Sequence, residues 1–388
     1  MFIALNNRLR KRSFIILVLA CVFFGACAFI AHRLLVPAEE DRVKEALKEA
    51  KQIARETLES SPEKTEKTEK TDGIIVCAGG FRVVECFGGL SWLRNMEKND
   101  PNLKVLPIEW FYAGDEMNQK TMDFIQPKLA PIKFIDCMKI SNESLKLLRG
   151  FPIKAFAAVH TTFDRFLFLD SDSIALRHPG FLFDFKEFKT KGTIFWRDFP
   201  HRGTLGQLFT AHQESFDNRL KDWKKFASMP ENESGQFMVD RSRHLEVLKL
   251  AWGLNKMKDV FYKIVYGDKD LFALAFFLSN KLDDYYQVPY FPYTIRNSQE
   301  KHEAIGQRNP ENPNEIIFVH RTHQKRNCLN KYSKYCIISA GHYDSYIEEP
   351  RPLTVYNKFK GDKRVPRTLS DMTYFVLEAE KNAARGIN

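Results

Sequence analysis

Residues 166–169 read Phe-Leu-Phe-Leu, and no polar side chain interrupts them. A half-exposed strand alternates apolar and polar residues, so an unbroken apolar run must be covered on both faces. That demand excludes a sheet with one wet face. It calls for helices stacked on both sides of a central sheet. The run ends in Asp170-Ser171-Asp172, after which Ile174, Ala175 and Leu176 resume. Two carboxylates against so much apolar surface are costly unless something compensates their charge.

The flanking sequence supplies the matching alternation. Strands are predicted at 73–80, 106–116, 132–138, 193–196, 236–240 and 315–321. Helices are predicted through Phe87–Met96, at 151–162, where Ile153, Phe156, Ala157 and His160 share one face, and at 242–254 and 269–279. This order predicts an α/β fold with a mostly parallel central sheet. Ligands of such sheets bind beyond the carboxyl ends of the strands. Gly79-Gly80, Gly114-Asp115 and Asp170-Ser171-Asp172 all fall there. With 33 phenylalanines in 388 residues, the chain has the bulk for thick layers.

The N-terminal region is built differently. Residues 14–31 carry no charge, follow Arg8, Arg10, Lys11 and Arg12, and are long enough to cross a bilayer. Ala26-Cys27-Ala28 resembles a signal-peptide cleavage site, but the length of the run favours an uncleaved anchor. The positive-inside tendency puts the remaining chain in the lumen. The expected organisation is a cytosolic tail at 1–13, a transmembrane signal-anchor at 14–36, a luminal stem at 37–72 and a catalytic domain at 73–388. Within the stem, residues 39–60 read as a solvated helix, and the repeats EKTEKTEKT at 63–71 as a spacer.

Cys328 and Cys336, eight apart, are the candidate disulfide of an oxidising lumen, and Cys77 reads as a buried thiol. Asn142 and Asn232 begin glycosylation sequons; the second lies inside a functional motif and is expected to be bare. The net charge of +10 suits a nucleotide diphosphate or an anionic membrane face. No zinc-finger spacing, RNA-recognition signature or Arg-rich arm accompanies it, so nucleic acid is not an expected partner.

An extended backbone past Leu169 would turn Asp170 and Asp172 to the same side. Such a pair at the open end of a sheet suits Mg²⁺ or Mn²⁺ shared with substrate phosphates. An Asp-x-Asp also commonly caps a turn. Glycosidase carboxylates stand farther apart across a sugar, so a metal is the better reading.

Six motifs in order then resemble the fungal Golgi α-mannosyltransferases of glycosyltransferase family 71. They are IVCAGG (75–80), LPIEWFYAGDE (106–116), FDRFLFLDSDSIAL (163–176), GTIFWRDF (192–199), ESGQFMVDRSRH (234–244) with Glu233 before it, and GDKDLF (267–272). The resemblance implies a GT-A-like nucleotide-sugar fold, GDP-mannose as donor and Mn²⁺ dependence, with Mg²⁺ possible. It also implies a retaining α-1,2 or α-1,3 transfer to a mannosylated glycan or glycoprotein in the Golgi. Carried onto this sequence, Asp172 ligates the metal, and Asp170 contacts it through water or binds the donor ribose.

Ala78, Gly79 and Gly80 are candidates for close approach of the nucleotide. Glu233, Gln236, Asp198, Asp268 and Asp270 are candidates for the polar group near the anomeric carbon. Capping of the helix that follows is the alternative reading of Asp268 and Asp270. His320 and His323 are candidate metal ligands, and Lys325 a candidate diphosphate partner. Trp196 and Trp110 are considered as acceptor platforms, with core packing preferred for Trp110. The acceptor groove is expected within 198–232 and 281–312. A UDP-hexose transferase of the same fold and a silent glycan-binding subunit stay open as alternatives.

Overall fold

The computed structural model describes residues 40–56, 70–199, 204–209, 222–296, 302–322, 345–348 and 367–387. The expected anchor, the Cys328–Cys336 pair, His323 and Lys325 lie outside them. Among the described residues no helix is long and apolar enough to cross a membrane.

The central sheet contains β1 (Asp72–Cys77), β2 (Ile108–Tyr112), β3 (Ile132–Asp136), β4 (Arg165–Asp170), β6 (Thr193–Arg197) and β7 (Asn232–Asp240), in the order β3-β2-β1-β4-β7-β6. Pairs β3/β2, β2/β1 and β1/β4 are parallel, while β7 is antiparallel to both β4 and β6. Only β7 therefore runs against its neighbours, and the sheet is mixed but mostly parallel.

Strand β4 shows why the opening run is apolar throughout. Phe166 and Phe168 enter the core on one face, Leu167 and Leu169 the core on the other. Phe168 stacks on Phe237 of β7, with centroids 4.8 Å apart. Helices α4 (Pro152–His160), α5 (Arg241–Lys256) and α6 (Lys269–Leu278) cover the first face. Helices α2 (Arg82–Asn99) and α3 (Gln119–Leu129) cover the second. The carboxylate of the LPIEW motif, Glu109, is buried and accepts hydrogen bonds from Thr161, at 2.6 Å, and Thr162. It ties the end of α4 to β2 and lies away from the site.

A second, antiparallel sheet departs from expectation. It joins β11 (Ser345–Glu348), β8 (Tyr293–Arg296), β9 (His302–Arg308), β10 (Ile316–His320) and β5 (Ser173–Ala175), in that order. Strand β4 does not stay extended through Asp172. It ends at Asp170, the chain turns at Ser171–Asp172, and β5 starts in the other sheet. Both aspartates still reach one site, but a turn puts them there and not strand alternation.

The helix at 40–56 (α1) forms but is not solvated. Val43, Ala46, Leu47, Ala50 and Ala54 are buried in the first core. It lies so close to α5 that a Cβ on Gly253 would overlap the Ala50 carbonyl. Small residues at heptad-like spacing thus serve a close intramolecular contact. The C-terminal helix α7 (Arg367–Ile387), which the sequence reading did not anticipate, packs Met372 and Val376 against Trp92 of α2.

Candidate active site

The carboxyl ends of β1 and β4, the start of β7 and the end of β10 surround a cavity of about 740 Å³. Asp170 and His320 line it, and Asp172, 2% exposed, adjoins them. Ligand atoms of Asp170, Asp172 and His320 lie within 4.8 Å of one another. Register explains how a residue near the far end of the chain arrives there. Antiparallel pairing sets His320 opposite Ser173, and the Arg321 amide donates to the Asp172 carbonyl at 3.0 Å.

His320 Nδ1 contacts Glu233 Oε1 at 2.9 Å, which leaves Nε2 to face Asp172 Oδ1 at 3.1 Å. Buried Nε2 has no partner in hydrogen-bond geometry. Two carboxylates plus an imidazole nitrogen held from behind by a third carboxylate form a donor set that fits Mn²⁺ or Mg²⁺. Burial opposes a charged imidazole, yet Glu233 and Asp172 outweigh it and push His320 well above its usual value. For Glu233, burial likewise raises the carboxyl, but the neighbouring His320 prevails and holds it below the usual range.

Glu233 reaches this position through a bulge. Phe195 pairs with Phe237, but the next residue, Trp196, pairs with Glu233, so Ser234–Gln236 are extra on β7. A Cβ on Gly235 would lie 2.6 Å from His320 Nδ1, so glycine is needed for the approach. Gln236 is fully buried beneath, donating to Glu233 Oε2 at 2.6 Å and accepting from Ser173 at 3.3 Å. It does not line the cavity, so the candidate role at the anomeric centre gives way to a role in holding Glu233.

The three charged residues of GDKD separate. Asp268 lines the cavity, makes no helix-capping bond, and faces Lys154 at 3.7 Å and Ser234 at 3.4 Å. Burial pushes its carboxyl up to about 6 despite Lys154. Lys269 lines the cavity beside Asp198 and Glu231. Asp270 does not line it; its Oδ1 accepts from the Asn232 amide at 2.9 Å and fastens the start of β7. Asp270 therefore supports the site and does not face it. Asn232 is buried, and its side chain bonds Asp270, Tyr285 and Gln287, leaving no room for a glycan on the folded protein.

Ala78, Gly79 and Gly80 line the opposite wall. Glu116 packs over Gly79 so tightly that a Cβ there would meet Oε2 at 2.6 Å. Sequence reading missed Lys154, which is buried on α4, bonds Asp170 Oδ2 at 2.7 Å and Ser234, and approaches Asp268. Burial opposes its charge, but Asp170 and Asp268 win and raise it above the usual lysine value. The available signal was a lysine on an otherwise apolar helical turn. Arg82 stands at the lip, 3.9 Å from Asp172.

Trp110 and Trp196 are wholly buried, with indole N–H groups bonded to the carbonyls of Ala78 at 2.8 Å and Arg308 at 2.9 Å. Trp196 is thus core and not an acceptor platform. Exposed Phe81, Phe151 and Tyr266 rim the mouth instead.

A family model described as "Mannosyltransferase putative" matches residues 71–344. The α-1,2-mannosyltransferase MNN23 of Candida albicans is 26% identical over 281 residues, covering 61% of this chain and 46% of that protein. The α-1,2-mannosyltransferase MNN5 of Saccharomyces cerevisiae is 25% identical over 298 residues, covering 63% and 50%. The chain thus spans about half the length of these two curated relatives. Among solved structures, GlyE of Streptococcus pneumoniae aligns at a TM-score of 0.37 with 14% identity, covering 57% of this chain and 46% of that one. Ktr4p of Saccharomyces cerevisiae with GDP aligns at 0.36 with 14% identity, covering 65% and 83%. Scores this low carry no argument, and the architecture rests on strand order and register alone.

Proposed function

This chain belongs to the mannosyltransferase family whose model it matches, and on that premise we propose that it is a retaining α-mannosyltransferase of GT-A type. It transfers mannose from GDP-mannose to a mannose-bearing glycan, with Mn²⁺ or Mg²⁺ held by Asp170, Asp172 and His320. The reading is carried by one observation: three metal-ligating side chains, two from the turn after β4 and one from the end of β10, converge beside a cavity that Asp170 and His320 line together with a glycine loop and a buried lysine.

When bound, the ion supplies positive charge that stabilises the diphosphate as it leaves. The chain's own residues do the rest. Lys154, kept charged by Asp170 and Asp268, and Arg82 at the lip present fixed positive charge where negative charge grows in the transition state. Glu233 orients the His320 ring, and Gln236 fixes Glu233. Gly80, with open space where a Cβ would stand, lets the nucleotide approach the backbone, and Asp268 faces the donor sugar. The uncharged run at 14–31 behind a basic tail supports a single-pass type II anchor with the catalytic part in the Golgi lumen.

The test is a donor panel on the full chain in detergent, with α-mannobiose as acceptor and either Mn²⁺ or EDTA. Transfer from GDP-mannose that EDTA abolishes is expected, and linkage analysis of the product separates α-1,2 from α-1,3. Transfer only from a UDP-hexose would replace the donor. Glycan binding without transfer from any donor would make the chain a silent glycan-binding subunit.

A further inference from the structure

We propose that the cluster of Lys269, Asp198 and Glu231 is the acceptor subsite, and that it takes a neutral polyhydroxylated ring, a terminal α-mannoside. This deepens the mannosyl-transfer reading and rests on it. Lys269 Nζ donates to Asp198 Oδ2 at 2.8 Å and to Glu231 Oε2 at 3.0 Å, and all three line the cavity that holds Asp170 and His320.

The cavity is polarised along its length. Near Asp170 stand Lys154 and Arg82, which complement a diphosphate, and carboxylates that would do so once they held a divalent ion. The Lys269 region has two carboxylates to one ammonium, with Glu233 lining the same cavity. A diphosphate is repelled there. A sugar hydroxyl is not, because each can donate to a carboxylate while accepting from an ammonium. Phe199, next to Asp198, adds apolar surface for the ring's C–H face.

A purely structural account leaves the cluster little to do. Buried ion pairs replaced by apolar groups of similar shape are often neutral for stability, or better. The cluster is also held rigidly, as a binding surface needs: Asp198 Oδ1 accepts the Phe199 amide at 2.7 Å, and the Asp198 amide donates to the Glu231 carbonyl at 3.0 Å.

The test uses full-length protein carrying Lys269→Met or, separately, Asp198→Asn, so that one misfolded variant does not end it. Steady-state transfer to methyl α-mannoside is expected to show an acceptor KM raised about tenfold or more, the loss of one charged hydrogen bond. GDP affinity by calorimetry stays within about twofold of wild type, a difference of about 0.4 kcal/mol. Saturation-transfer NMR with methyl α-mannoside gives a signal on wild type that both variants lose. An unchanged acceptor KM, a parallel loss of GDP affinity, or no mannoside signal on wild type would each overturn the subsite. If GDP-mannose proves not to be the donor but the NMR signal behaves as described, the donor assignment fails and the subsite stands.

Discussion

The two walls of the cavity were assembled by opposite means. The β1–β4 wall is local: Ala78-Gly79-Gly80 and Asp170-Ser171-Asp172 are continuous stretches at the ends of adjacent parallel strands. The β7–β10 wall is remote: Glu233 and His320 meet across 87 residues, through a bulge in one sheet and the register of another. A local wall depends on its own side chains. A remote wall also depends on backbone geometry that no single functional residue controls, so the two should break differently.

The largest effect belongs to the local wall. Asp172→Asn should lower transfer by about 10³-fold while the melting temperature stays within about 3 °C. Near-normal turnover that still needs metal would remove Asp172 from the ligand set. On the remote wall, His320→Ala should cost about 10²-fold, and Glu233→Gln about 10- to 100-fold in Mn²⁺ affinity measured by calorimetry. If Glu233→Gln left Mn²⁺ affinity intact, the two walls would be independent, and Glu233 would need another role.

Gly235→Ala sharpens the contrast, because it touches backbone geometry alone. Its Cβ would press on His320, so activity should fall about tenfold along with Mn²⁺ affinity. Ala78→Gly on the local wall should not do this. The smallest effect on turnover is expected from Gly253→Val, far from either wall. By pushing α1 from α5 it should cost about 1–3 kcal/mol of stability, seen as a lower melting temperature with nearly unchanged KM. A kinetic collapse in that variant would mean that α1 is coupled to the site.

Legibility follows the same division. The sheet's core strands, the helices on both faces and the Asp170–Asp172 turn could all be read from apolar runs and their endings. So could the burial of Cys77, a free thiol in the structure. Periodicity is a local signal, and these elements are locally specified. The second sheet was not legible beyond β10, since β8 and β9 are paired strands with mixed polar content, such as His302–Arg308. Helix α1 was legible as a helix but not as a docked one. Its small residues look too weak to pack until Gly253 is known to face them.

Within the site, residue types were visible and their tasks were not. Five candidate acids and amides looked alike in sequence, yet they divide by where their side chains end. Asp268 and Asp198 face the cavity, Gln236 and Asp270 lie behind it, and Glu233 grips His320. Lys154 and Lys269 went unremarked because a lysine in a helix is ordinarily a solvated one. Sequence alone determined that two carboxylates end a strand buried on both faces, which already called for a compensating charge. Tertiary structure decided which groups compensate them, because strand register and a three-residue bulge place the partners, and both are set by pairing between segments far apart in the chain.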